Sequence, residues 1–370
     1  MRATLTNEAD VAAAVLFQPD ETLDMLGDML SRALQDKAGA DWREALWPVL
    51  SELGLFAALL SEEDGGYGGA RTAGLACRLL AEAGAVTPFA MSAAAIGRTL
   101  AGQPSGRAVA ISTALAEGSA VASLALHERD ALPAIKGATL RLTRDGDGWR
   151  LDGAKRMVAY GGVARWLILP ARTDGGELAA VAVEASPLAG GMRHYDLIDG
   201  TPAADIEFAR HAVVDDDVLA TGEAAASLLV EMCDALAAAQ CAEIVGAMRA
   251  MTVATRDYLG MRRQFGQTLA SNQALRHRFI DMEIALAKAE TMAALAAVAM
   301  EEPAVARSRV VASARHVVLR AGWKVSQEAI QMHGAIGMAN ETPLGGYFKR
   351  ILALTLWLGD EDAALDRLTG

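Results

Sequence analysis

Between Gly222 and Met300 the sequence keeps a helical period for longer than ordinary globular helices do. Two stretches carry it, "AASLLVEMCDALAAAQCAEIVGAMRAMTVATRDYLGMRR" and "NQALRHRFIDMEIALAKAETMAALAAVAM". Helices in globular proteins average about 10–14 residues. Segments this long, apolar on more than one side, bury their surface only in a bundle of long helices packed against one another. The period returns after Gly222 and persists almost to the end of the chain.

The N-terminal part is also helical. "LDMLGDMLSRAL", "DWREALWPVLSELGLFAALL" and "AGLACRLLAEAGAV" place apolar residues three and four apart. Asp41 stands where an N-cap is needed. In "EEDGGYGG" the glycines Gly65, Gly66, Gly68 and Gly69 permit positive φ and mark a loop. Between about Ala120 and Leu219 the pattern changes. "ATLRLTRDGDGWRLDGAK" reads as a hairpin around a turn-rich "DGDG", and "RWLILPAR", "ELAAVAVEA" and "ADIEFARHAVV" read as further strands. The expected fold class is therefore α+β and mostly α. A helical domain (1–117) precedes a small antiparallel β-sheet or barrel (118–221), and a long-helix bundle (222–370) follows. No internal repeat or low-complexity linker separates them, so one packed unit is expected.

With 370 residues and 52% hydrophobic content, the chain can bury a large core. Charges interrupt its longest apolar runs before the roughly 20 residues a membrane span requires. The N-terminal stretch carries acids beside a short apolar run, unlike a signal or transit peptide, so a cytoplasmic location is expected. A net charge of -12 opposes general attraction to nucleic acid and leaves a small molecule as the expected partner. Cys77, Cys233 and Cys241 are odd in number and lack metal spacing. They are expected to be buried small hydrophobes, with no metal site.

The order helices, strands, helices, with four motifs, resembles the acyl-CoA dehydrogenase family over essentially the whole chain. The motifs are "WPVLSELGLFAALLSEEDGGYGG", "LDGAKRMVAYGGVARWLIL", "YLGMRRQFGQTLASNQALRHRFIDM" and "QMHGAIGMANETPLGGYFKR". The resemblance implies an FAD-dependent α,β-dehydrogenation of an acyl-CoA thioester. The flavin takes a hydride from the β-carbon while a carboxylate removes the α-proton, so the two must flank the acyl chain. It also implies an electron-transferring flavoprotein as acceptor, a homo- or hetero-oligomer, and a place in fatty acid or steroid side-chain degradation.

Carried over residue by residue, the resemblance puts Arg262 against the FAD pyrophosphate, which a guanidinium grips with two parallel bonds. Phe265, Gly266 and Gln273 follow at their expected offsets, with Gln264 counted among the cofactor contacts, although a surface arginine and a core phenylalanine are the bland alternatives. Gln331, Gly334 and Ala335 match a turn where backbone approaches the FAD of a neighbouring subunit. The same residues also fit a helix C-cap. Asp360 falls at a further cofactor position. His333 reads as structural.

Other positions depart from the family. After Lys155 and Arg156, Met157, Val158 and Ala159 stand where an aromatic, an aliphatic and a hydroxyl residue touch the flavin ring. "ALHERD" replaces a Thr-Glu-Pro neighbourhood and keeps only Glu128. The family base aligns with Leu358, and the base that some members carry on an earlier helix aligns with Leu236. Asp234 lies about 200° around the helix from Leu236 and would face elsewhere. Three accounts of the acidic end "LGDEDAALDRL" stay open: a solvated tail, a displaced base at Glu361, or the small, base-lacking partner of a heteromeric acyl-CoA dehydrogenase, which "CAEIVGAM" also resembles.

Overall fold

The structure is a computed structural model. It describes residues 21–35, 37, 41–61, 66, 68–128, 135, 137–339 and 342–369. The N-terminal stretch, Gly65 and the last two residues of "ALHERD" lie outside the described residues.

The helices α1 (Glu21–Ala33), α2 (Gly69–Glu82) and α3 (Gly106–Ala116) form the first helical region, with short helical turns over Trp42–Ala58 and a π-helical segment at Ala90–Gly97. Asp41 is the expected cap, its side chain accepting the Arg43 N–H at 2.8 Å.

Eight strands follow: β1 (Ala122–Leu124), β2 (Arg141–Asp145), β3 (Gly148–Ala159), β4 (Trp166–Thr173), β5 (Leu178–Glu184), β6 (Met192–Asp196), β7 (Pro202–Val213) and β8 (Val218–Thr221). They make one sheet in the order β6-β7-β3-β2-β4-β5-β8, with β1 also on β4. The expected hairpin is present, with Asp145 opposite Gly148. The sheet is mixed rather than wholly antiparallel, because β1 and β2 both run parallel to β4. β3 folds back on one edge of β2 and continues onto β7, so the chain reaches the other edge of β2 by a crossover, which parallel pairing requires. Strands β1, β6 and β8 are three to five residues long, too short for alternation to reveal them.

The third region is the expected bundle of α4 (Gly222–Met261), α5 (Gln273–Ala299), α6 (Ala304–His333), α7 (Leu344–Leu358) and α8 (Glu361–Thr369). Every residue from Met232 to Met248 of α4 is buried, so this helix is encased on all sides and needs its run of small side chains. A Cβ on Gly246 would lie 2.1 Å from the Arg78 carbonyl oxygen, so α2 rests on α4 at a distance only glycine allows. One contiguous apolar core runs from Leu30 through the sheet to Leu358. The three cysteines are buried in it, and burial pushes the Cys233 and Cys241 thiols up to about 12. Among the described residues no helix is long and apolar enough to cross a membrane, and no group of His, Cys, Asp and Glu could hold a metal ion.

Candidate active site and nucleotide-binding surface

The register of β3 on β7 shifts between Lys155 and Val158, and within that bulge Met157 takes a φ of 48°. Its N–H donates to Asp205 Oδ1 at 3.1 Å, and Arg193 and Tyr195 hold the same carboxylate at 2.7 and 2.8 Å. This anchored conformation makes Met157 part of a chamber lined also by Leu124, Leu126, His127, Leu236 and Trp357. Met157 and Ala159 of β3, Leu236 of α4 and Trp357, the neighbour of Leu358, thus meet at one place, although up to 200 positions separate them in sequence. The chamber has a volume of about 10 Å³, roughly what one water requires.

Leu236 is 1% and Leu358 is 8% exposed. Asp234, as expected, faces away from the chamber and pairs with Arg307 and Arg367. At Gly359 the backbone turns to a φ of 87° and ends α7. Asp360 accepts the Ala363 N–H at 3.0 Å and so caps α8. Glu361 opens α8, where its carbonyl accepts from His316 Nδ1 at 3.0 Å. The side chain of Glu361 is not among those lining the chamber.

A buried arginine fastens this turn. Arg315 donates to the carbonyls of Leu354 (3.2 Å) and Gly359 (2.9 Å) and to Gln240 Oε1 (2.6 Å), and burial pushes its guanidinium down to about 10. The cation sits at the C-terminal end of α7, where helix carbonyls favour it. On the other side of the chamber, buried Lys155 pairs with Glu128, whose carboxylate also accepts the Thr139 N–H at 2.7 Å. Burial raises the Glu128 carboxyl, but the bonds from Lys155 and Thr139 outweigh it and hold it below its ordinary value. His127 donates Nε2–H to the Leu356 carbonyl at 3.0 Å, and burial lowers its pKa.

The second group of expected residues lies elsewhere. Beyond α4 a hairpin of β9 (Arg263–Gln264) and β10 (Gln267–Thr268) turns through Phe265 (φ 52°) and Gly266 (φ 82°), the pair of positive φ that a tight primed turn demands. Phe265 is 100% exposed, so the core alternative does not hold, and Arg262, Gln264 and Gln273 are exposed beside it in sequence. Gln331 is exposed in the last turn of α6, Gly334 caps that helix with a φ of 65°, and Ala335 is exposed in the turn after it. His333 is structural, as expected. It is buried, stacks on Tyr258 with ring centroids 4.3 Å apart, and engages the Ala329 carbonyl through Nδ1 at 2.8 Å. This stack ties the end of α4 to the end of α6 and makes the Arg262 and Gln331 segments neighbours. Asp360 belongs to the α7–α8 turn instead.

The two halves of an FAD fit this chain differently. Ligand cavities span about 300–1,000 Å³, so the closed chamber does not accommodate a flavin ring. The exposed Arg262, Gln264, Gln273 and Gln331, with small residues at 334 and 335, do suit a diphosphate and its nucleotide. Sequence reasoning missed Met157 as a filler, the Tyr258–His333 stack, and the inward-facing Arg315 and Gln240. Only the glycines after Tyr160 hinted at irregular backbone; a buried arginine in a helix looks like a surface one.

A family model described as the acyl-CoA dehydrogenase C-terminal domain matches residues 229–369. Probable acyl-CoA dehydrogenase FadE25 of Mycobacterium tuberculosis is 27% identical over 247 residues, which cover 64% of this chain and 62% of that one. The 3-sulfinopropanoyl-CoA desulfinase of Paraburkholderia xenovorans is 30% identical over 233 residues, 60% of this chain and 59% of that one. These matches span less than two thirds of either relative's length. A chain of the ChsE4-ChsE5 complex from Mycobacterium tuberculosis superposes with a TM-score of 0.82 over 95% of this chain and 97% of that one, at 22% identity, a likeness of fold.

Proposed function

We propose, from the premise that this chain is a homologue of the acyl-CoA dehydrogenases, that it serves as a subunit of an FAD-dependent oxidoreductase acting on a CoA thioester and contributes a dinucleotide-holding surface, not a catalytic base. The observation that supports the reading is the chamber: Leu236 and Trp357, the neighbour of buried Leu358, line a space of about 10 Å³, and the resemblance puts its base at Leu358 or Leu236. An aliphatic side chain takes no proton, so a carboxylate from a homologous partner subunit supplies the base. When bound, the flavin supplies the hydride acceptor. On this chain Arg262 would pair with the diphosphate, Gln264, Gln273 and Gln331 would donate hydrogen bonds, and Gly334 and Ala335 would allow close approach. An electron-transferring flavoprotein is the proposed acceptor, and a cytoplasmic location and the three-domain division go with the same reading.

Purification with and without the homologous partner tests it. The chain alone should be colourless, and the pair should hold flavin that bleaches on adding an acyl-CoA. A yellow chain that bleaches by itself would overturn the reading. If Glu361 were a displaced base, Glu361→Gln would abolish that bleaching while acyl-CoA still bound. In the assembled complex, Arg262→Ala should weaken FAD retention without unfolding, since a lost charge-assisted hydrogen bond costs about 1.5–3 kcal/mol. Unchanged flavin content after dialysis would remove Arg262 from the site.

The same reading requires an oligomer. Apolar side chains stand exposed on the C-terminal helices and the hairpin, among them Ile280, Ile284, Trp323, Leu356 and Phe265, and a partner's helices would cover them. Sedimentation should show a dimer or larger species, and a stable monomer at micromolar concentration would contradict it.

A further inference from the structure

Among the described residues four other than glycine take a positive φ, and two of them, Met157 (48°) and Tyr160 (60°), enclose Val158 and Ala159. Such conformations are costly for a residue with a side chain and persist only where the surroundings impose them. At Met157 the imposition comes from β7. Lys155 faces Ile206 and Val158 faces Ala204, so Arg156 and Met157 together stand against the single residue Asp205. The left-handed place in a bulge of this kind ordinarily belongs to glycine. Here methionine occupies it, and Asp205 Oδ1 holds it there by accepting the Met157 N–H at 3.1 Å. Asp205 is itself fixed, since Arg193 Nη2 and the Tyr195 hydroxyl donate to it at 2.7 and 2.8 Å. The consequence is the closed chamber: Met157 lines it with Met91, Leu126 and Trp357, and a space of about 10 Å³ is left.

We propose that the chamber is the closed form of a binding site for a small uncharged apolar group, and that Asp205 is the latch that keeps it closed. The walls set the chemistry of the guest. Of the lining residues only His127 titrates, and its Nε2 is engaged by the Leu356 carbonyl. The chamber therefore offers contact to carbon and no counterion to a charge. Its two methionines are the adaptable part, because an unbranched side chain with three rotatable bonds repacks around a guest. Once the bond to Asp205 is lost, Met157 returns to the extended region. That rotation turns its Cα–Cβ bond, and the side chain leaves its space to the guest. Loss of a charge-assisted hydrogen bond shifts the closed-to-open ratio roughly ten- to a hundredfold, and apparent affinity rises with the open fraction. This is the chamber on which the functional reading rests, but the latch is tested without flavin, acyl-CoA or a partner subunit, so either conclusion can fail while the other stands.

Xenon is the probe, since dry apolar cavities take it up, and the NMR shift of dissolved xenon against the full chain is the measurement. The wild type should show only the weak shift of surface contact. Asp205→Ala should bind xenon with an apparent affinity roughly ten- to a hundredfold higher. Met157→Ala should bind it too, because that variant empties the space directly. Asp205→Asn should resemble the wild type, since its amide oxygen still accepts the Met157 N–H although the ion pair with Arg193 is gone. A residue that served only through its charge would lose as much with asparagine as with alanine. Asp205→Val removes the acceptor with a side chain suited to a strand, so the test survives if the alanine variant fails to fold. Xenon binding to Met157→Ala but to no folded Asp205 variant overturns the latch, as does wild-type binding equal to that of Asp205→Ala. Asparagine acting like alanine overturns the role of the backbone bond, and binding to none of the variants overturns the site.

Discussion

Leu358→Glu should leave the isolated chain unable to reduce a flavin with an acyl-CoA, although it places a carboxylate at the position where the resemblance expects a base. Thioester α-protons are weakly acidic, and general base catalysis contributes roughly 10²–10⁴-fold to such a step. A base acts only on a substrate it can reach. The chamber that receives the Leu236 and Met157 side chains holds about 10 Å³, and one new carboxylate beside it does not open that space. The substitution should also destabilise the fold, because residue 358 is 8% exposed and a buried carboxylate costs several kcal/mol unless paired. Stopped-flow absorbance with FAD and acyl-CoA supplied in excess is the measurement. Bleaching in the variant and not in the parent would show that the chamber opens readily and that only the base was missing.

Asp234→Ala should be the most damaging single change in the helical bundle. The Asp234 side chain is fully buried and receives Arg367 Nη2 at 2.8 Å, Arg307 Nε at 3.4 Å and the Ser308 hydroxyl. It therefore joins α4 to α6 and to α8 at the end of the chain. Removing it leaves Arg307, whose side chain is only 8% exposed, with Glu231 at 3.7 Å as its remaining carboxylate, while the more exposed Arg367 can turn to water. Breaking a buried pair from one side costs about 3–5 kcal/mol. A urea titration should show a lower midpoint with unchanged slope, and Asp234→Asn should lose less because the amide still accepts. A loss below about 1 kcal/mol for the alanine variant would mean that the network is hydrated.

The helix, sheet, helix order was legible in the sequence because the regions differ in kind: largely apolar runs as long as the forty residues of α4 in the helical parts, and short apolar runs bounded by turn residues, such as the eight of β4, between them. Local chemistry was legible too. Asp41 caps and Gly334 ends a helix, since each needs only its near neighbours. Leu358 and Leu236 were also visible without coordinates as the residues that the resemblance aligns with a base.

What tertiary structure alone decided is whether the space beside Leu236 is open. Met157 closes it by a bulge whose cause is Asp205, some fifty residues away, and Trp357 closes it from α7. Neither effect has a period or a spacing to read. Sequence could not pair β1 and β2 in parallel with β4 either, because crossover geometry depends on which strand edges remain free. The same limit hid Arg315, Arg350 and Glu243. A charged residue in a helix looks solvated from its neighbours in sequence, and only the packing of α4, α6 and α7 turns these three inward.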